Sequence, residues 1–174
     1  MMNAALPVES PILLLFPELE GELAKTRRLL ERFPDDKAGW TPHPKSKSID
    51  ALASHIALLP RHGARLIETD ELDITTRPQP PVASTAAGLL ELFDQSAAAL
   101  RAALPKADAS LLDRPWTMRA GPKVLVSAPR RLLLRDMLIS HIVHHRAQLG
   151  LYYRLLDVAI PGTYGPSADE PIAV

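Results

Sequence analysis

The chain contains no cysteine among its 174 residues. Disulfide bonds, thiolate metal sites and a cysteine nucleophile are therefore excluded. Aromatic residues make up only 5% of the sequence, too few to indicate a row of stacking platforms for nucleic-acid bases. An excess of charge is also lacking, because 20 basic residues balance 20 acidic ones. The composition gives no overall attraction to nucleic acid or to an anionic membrane.

Long apolar runs are missing as well. The run at residues 12–16 is short, lies between Pro11 and Pro17, and follows no basic segment, so we predict no signal peptide. No stretch approaches the roughly 20 apolar residues of a membrane span. The lack of cysteine fits a reducing cytoplasm. We expect a soluble, cytoplasmic protein without a membrane or nucleic-acid partner.

What is present indicates a helical globular domain. Hydrophobic residues make up 47% and charged residues 23% of the chain, an ordinary composition for a single domain over residues 1–174. Apolar residues at helical spacing predict four long helices. Their expected ranges are residues 11–33 with Ser10 as N-cap, 49–68, about 85–104, and about 129–157.

The segment before the last helix has a different pattern. The strand-like pieces "PWTMR" and "KVLVS" flank Gly121-Pro122, which predicts a short β-hairpin or extended excursion. Residues 34–48, residues 70–82 and the C-terminal tail are predicted to be irregular. The expected fold is therefore all-α, a four-helix bundle with one β excursion. We expect the Trp116 hairpin, the 34–48 loop and the tail to wall a substrate pocket.

The last predicted helix carries an unusual stripe. Residues at alternating steps of four and three are typical of a core-facing seam. The stripe consists of Leu134, Leu138, His141, His145, Gln148, Tyr152 and Leu155. His141 and His145 are one turn apart on one face, so their rings can converge on a single ion. His144 lies about 100° round the helix and is predicted to flank the site.

A third ligand is offered by the second helix. His55 lies on the apolar face between Leu52 and Leu59, where it can point into the same core. Three neutral imidazoles suit zinc, nickel, copper or iron, and leave a position open for water or substrate. His62 is predicted at the surface or at the rim of the site, and His43 in solvent. The alternative is that these histidines are hydrogen-bonded core residues without a metal.

Other catalytic patterns are absent from the sequence. No Glu-x-x-His or His-Glu-x-x-His motif occurs, which argues against a di-iron carboxylate site and a zincin protease. No general base stands out, so no catalytic residue is named beyond the ligands. Arg130, Arg131 and Arg135 open the last helix, where they could bind an anion; a solvated basic face is the favoured interpretation.

The chain resembles the DinB-like (YfiT-related) four-helix bundle proteins. Matching stretches are residues 22–63, residues 120–158 and, most specifically, "HIVHHRAQLGLYYRLLDVAIPGTYGPSADE". Ala147 replaces the usual glycine of the family's "HHRGQL". The resemblance implies a metal triad at His55, His141 and His145, with zinc or nickel as the usual ion, and a homodimer.

The resemblance also implies a small-molecule substrate. Family members with an assigned reaction are largely transferases or isomerases that depend on a low-molecular-weight thiol such as bacillithiol, mycothiol or glutathione, and others are described as metal-dependent hydrolases. Either chemistry is expected here. Two alternatives stay open: a non-catalytic bundle that uses the metal for stability or sensing, and an interaction bundle without metal.

Overall fold

The computed structural model describes residue 12 and residues 15–172, and is mostly helical with a small three-stranded sheet. The helices are α1 (Leu19–Leu30), α2 (Ile49–Glu68), α3 (Ala86–Ala103), α4 (Ala109–Asp113), α5 (Arg130–Leu134) and α6 (His141–Leu155). A π-helical segment, Arg135–Ser140, joins α5 to α6 without a break. The strands are β1 (Glu71–Asp73), β2 (Pro115–Ala120) and β3 (Lys123–Pro129).

All four predicted helices are found at the expected places in the chain. Two of them also begin at the predicted residues. The second begins at Ile49, as predicted. The third begins after Thr85, whose hydroxyl accepts a hydrogen bond from the backbone N–H of Gly88 at 3.1 Å, satisfying a free donor of the first turn. The first is shorter than predicted, because a turn at Pro17 precedes α1. The expected cap at Ser10 lies outside the described residues.

The sheet corrects the all-α prediction. The hairpin is confirmed: β2 and β3 pair antiparallel, and Gly121 turns between them with a φ of +56°, which glycine adopts without strain. β1 adds a third strand, parallel to β2, inside the region predicted as an irregular connection. A strand of three residues is too short to show an alternating pattern, and its partner lies more than 40 residues further along the chain.

The predicted seam of the last helix is wrong beyond Leu138. The residues that face the core in α6 are Ile142, Arg146, Leu149 and Tyr153. Each follows a predicted seam residue by one position. The π-helical segment is the physical reason, because it holds one more residue than an α-helical turn and shifts every later residue round the axis. The predicted seam residues therefore lie at the edge of the core, and Leu155 is 57% exposed.

Helix α2 lies at the centre of the packing. It contacts α3 along its length and also contacts α6 and the π-helical segment. Gly63 permits the close approach, because a Cβ atom at this position would lie 2.7 Å from Leu138 Cδ2. This contact packs α2 against the π-helical segment that precedes α6. Across residue 12 and residues 15–172, no helix has the length and apolar character needed to cross a membrane.

Arg130 ties the helices to the sheet. It is 1% exposed, donates to the carbonyls of Leu66, Thr69 and Pro115, and pairs with Asp70 at 2.6 Å. The prediction of a solvated basic face is therefore wrong for Arg130. It fails because a long-range set of carbonyl acceptors satisfies the guanidinium, and the sequence around position 130 does not reveal those acceptors. Arg131 and Arg135 are exposed, as predicted.

Candidate metal centre

Three histidines from two helices meet at the edge of the core. His55 comes from α2, and His141 and His145 come from the first turns of α6. The Nε2 atom of His141 lies 3.3 Å from that of His55 and 2.9 Å from that of His145. One ring nitrogen from each residue lies within 4.8 Å of the other two. The structure thus brings together the three residues that the sequence singled out.

The spacing of these nitrogens suits a divalent ion. Two nitrogen ligands of a tetrahedral zinc, each at about 2.0–2.1 Å, lie about 3.3 Å apart. The His55–His141 separation matches that value, and the His141–His145 pair needs to open by only a few tenths of an ångström. The cluster is made of imidazoles alone, a donor set that binds zinc, nickel or copper.

The protonation state of the cluster also suits a metal. Burial, together with the neighbouring rings of His145 and His141, lowers the pKa of His55 to about 3. Burial likewise lowers the pKa of His141 and of His145. A neutral imidazole keeps the lone pair that a metal ligand requires. The three side chains can therefore hold a cation at neutral pH without first releasing protons.

A neighbouring amide orients one of the rings. His145 Nδ1 lies 2.6 Å from Oε1 of Gln148. Since an amide oxygen only accepts, Nδ1 carries the proton and Nε2 is left free to bind a metal. Gln148, predicted on the seam, is thus a positioning residue for His145.

The predicted walls of the pocket are not all near the centre. The 34–48 loop reaches its edge, because the Trp40 ring packs edge-on against Tyr152 with centroids 5.6 Å apart, and the charge of Lys47 acts on His55 and His145. The tail lines a separate cavity of 310 Å³ with Arg146 and Gly150 of α6. The role of the tail in a substrate pocket therefore stays a prediction.

The remaining histidines lie outside the group of three. His144 is exposed, with its ring centroid 4.8 Å from that of His145. It lines an open depression of 440 Å³ with His141. His43 is exposed in its loop, as predicted. His62 is half-buried, with its ring centroid 6.4 Å from that of His55.

A small cavity adjoins His62. Its volume is 60 Å³, and its walls are His62, Arg65, Leu66, Leu72, Arg77, Trp116, Met118 and Met137. Neither arginine was predicted as a site residue. The spacing of His62 and Arg65 by three positions on one helix was an available signal, because residues at i and i+3 share a face. Arg77 lies in an irregular segment and gave no such signal.

Comparisons with known proteins agree with this architecture. The sequence model of the DinB superfamily matches residues 18–149. A DinB-like protein from Bacillus cereus ATCC 10987 has a similar structure, with a TM-score of 0.66, 19% identity, and coverage of 86% of this chain and 95% of that one.

A DinB-like protein from Bacillus subtilis is similar to the same degree. Its TM-score is 0.64 at 19% identity, and the match covers 92% of this chain and 99% of that one. At such identities the likeness concerns the fold alone. No curated protein matches the chain.

Proposed function

Because the chain belongs to the DinB superfamily, we propose that it is a metal-dependent enzyme that acts on a small molecule. His55, His141 and His145 would hold a divalent ion, zinc or nickel. The observation that carries the proposal is the convergence of three neutral imidazoles at a half-buried edge of the core. Three protein ligands leave at least one coordination position for another molecule.

The ion would supply Lewis acidity, lowering the pKa of a water or thiol bound to it. The protein's own residues keep the imidazoles neutral through burial and fix the ring of His145 through Gln148. The three imidazoles would serve as ligands, and Asp136 lines the depression beside His141. A thiol brings its own nucleophile, so we favour thiol-dependent transfer over hydrolysis. The chain has no cysteine, so the thiol would be a separate small molecule.

The four long helices also suggest how the helical part of the molecule is arranged. We infer that four helices form a bundle: α1, α2, α3 and the continuous helix over residues 130–155. Contacts of α2 with α3 and α6, and of α1 with the same two helices, support this grouping. The metal centre then lies between the second and the fourth helix of the bundle.

Elemental analysis of untagged protein tests the metal centre. We expect one divalent ion per chain, and its loss in His141→Ala and His145→Ala because each removes one of three ligands. His144→Ala is the matched control, since His144 is the adjacent, exposed histidine, and it should keep the ion. A chain without stoichiometric metal, or equal metal content in all three variants, would overturn the proposal.

Turnover of a panel of electrophiles and esters by the zinc-loaded protein tests the reaction class. Stimulation by an added small thiol supports transferase activity. Ester cleavage that is indifferent to thiol identifies a hydrolase instead. A stoichiometric ion without turnover in either assay would favour the non-catalytic alternative, in which the metal stabilises the fold or is sensed.

A further inference from the structure

The small cavity beside His62 is rich in positive charge. Arg65 and Arg77 both line it, and the rest of its wall is mainly apolar, with Leu72, Trp116 and Met118. Among the residues that the structure describes, this wall includes no carboxylate. Two guanidinium groups therefore share one small space without a counter-charge. Such an arrangement costs free energy unless an anion joins it.

The guanidinium of Arg65 is incompletely satisfied. Its Nη1 atom is buried and has no hydrogen-bond partner within the described part of the chain. Burial lowers the pKa of Arg65, and the nearby charges of Arg77 and Arg61 lower it further. The two fully buried arginines, Arg130 and Arg146, are by contrast bonded to carbonyls and carboxylates. Nη1 of the half-buried Arg65 is thus a buried donor among like charges.

We propose that this cavity binds a carboxylate group of the small-molecule substrate or of its thiol co-substrate. That the bound molecule is a substrate or co-substrate rests on the proposed function. That the cavity binds a carboxylate does not depend on it. A guanidinium presents a planar fork of donors that matches a carboxylate. The volume of 60 Å³ exceeds the roughly 10–15 Å³ that one water needs, which leaves room for a carboxylate with the rest of the molecule leading outward.

The cavity lies next to the metal centre. His62 lines it and also packs near His55, with ring centroids 6.4 Å apart. Met137 lines it and also lines the depression beside His141. A molecule anchored at Arg65 and Arg77 would therefore have only one ring or one side chain between its anionic group and the three histidines. The substrate class is a small molecule with a carboxylate at one end and its reacting group at the other.

The direct test is a titration of zinc-loaded, full-length protein with sodium propionate at constant ionic strength, followed by NMR. Propionamide is the neutral probe of the same shape. We expect saturable binding of propionate and about tenfold weaker binding of propionamide, since hydrogen bonds to a charged group are the stronger ones. Arg65→Gln and Arg77→Gln should each weaken propionate binding by about tenfold.

Arg61→Gln is the matched control. Arg61 is exposed and lies on the same helix, one turn before Arg65. The substitution Arg61→Gln therefore removes the same charge without changing the lining of the cavity. Its effect should stay within about twofold, because exposed charges are screened. Equal weakening by Arg61→Gln and Arg65→Gln, or equal binding of propionate and propionamide, would overturn the proposal.

Thermal unfolding separates binding from a structural role. Without propionate, Arg65→Gln should unfold at the same temperature as the wild type or a higher one, because it relieves repulsion. A purely structural arginine would give a lower unfolding temperature, and that result would contradict the proposal.

A second comparison separates this site from the metal centre. His141→Ala should lose metal and still bind propionate. If the wild type holds no metal but binds propionate, the proposed metal-dependent enzyme is contradicted and the carboxylate site is supported. If it holds metal but does not bind propionate, the carboxylate site is contradicted and the metal centre is supported.

Discussion

At the scale of single residues, burial lowers the pKa of His62 and so affects how stability depends on pH. Burial and the charges of Arg77 and Arg65 lower the pKa of His62 to about 4, from 6.5 for an ordinary histidine. Between those two values the unfolded chain binds a proton at His62 that the folded chain does not. The free energy of unfolding therefore falls as the pH drops through this range.

We expect His62→Gln to weaken this acid sensitivity. In metal-free protein, the melting temperature of the wild type should fall between pH 6.5 and pH 4, and that of the variant should fall less. His43→Gln, in the exposed 34–48 loop, should follow the wild type. Melting curves recorded by circular dichroism across this pH range give the comparison, and parallel curves for wild type and His62→Gln would contradict the explanation.

Single residues also show how far sequence reasoning reaches. His141 and His145 could be predicted because their spacing by four puts two rings on one helix face. His55 could be predicted because it interrupts an apolar face. Arg77 could not, because nothing in an irregular segment says which helix it will fold against. The core role of Arg146 was also missed, since its partner Glu22 lies 124 positions away.

At the scale of elements, the π-helical segment sets the direction of the metal centre. A regular α-helix through Arg135–Ser140 would place His141 and His145 on the core face, in line with Leu134 and Leu138. The extra residue instead gives the core face to Ile142 and Arg146, and leaves both histidines half-buried beside an opening. No residue type marks a π-helical turn, so the helix could be predicted but its change of phase could not.

Deletion of Asp136 should remove this turn without moving the centre. Asp136 is an exposed residue of the segment, and one residue fewer lets an α-helix reach His141 in the same orientation. We expect the variant to keep its metal, as measured by elemental analysis. Deletion of Ala147, exposed but within α6, should instead turn Leu149 and Tyr153 out of the core by about 100° and destabilise the fold. Loss of metal on deletion of Asp136 would refute this account.

At the scale of the whole molecule, one buried ion pair joins three distant parts of the chain. Arg146 of α6 bonds Glu22 of α1 at 2.5 Å, and the hydroxyl of Tyr164 in the tail lies 2.6 Å from Arg146 and 2.7 Å from Glu22. Burial raises the pKa of Glu22, but hydrogen bonds from Lys25, Tyr164 and Arg146 outweigh it and leave the pKa below its usual value. The carboxylate is thus charged and fully partnered.

Glu22→Ala should destabilise the protein by about 3–5 kcal/mol, because it leaves the Arg146 charge buried without a partner. Glu31→Ala is the control: Glu31 pairs with Arg27 on the surface of the same region, and exposed pairs contribute at most about 1 kcal/mol. Urea unfolding of both variants measures the difference. Similar losses of stability in the two variants would show that the buried pair has no special weight.

The separation of the histidines along the chain has a consequence for folding. His141 and His145 are neighbours in one helix, but His55 precedes His141 by 86 positions, so closing that loop costs chain entropy that local structure does not recover. Before α2 and α6 dock, the chain can offer an ion only two of the three ligands of this centre. Capture of the third requires α2 and α6 to have docked, and tight metal binding would therefore report that assembly of the chain is complete.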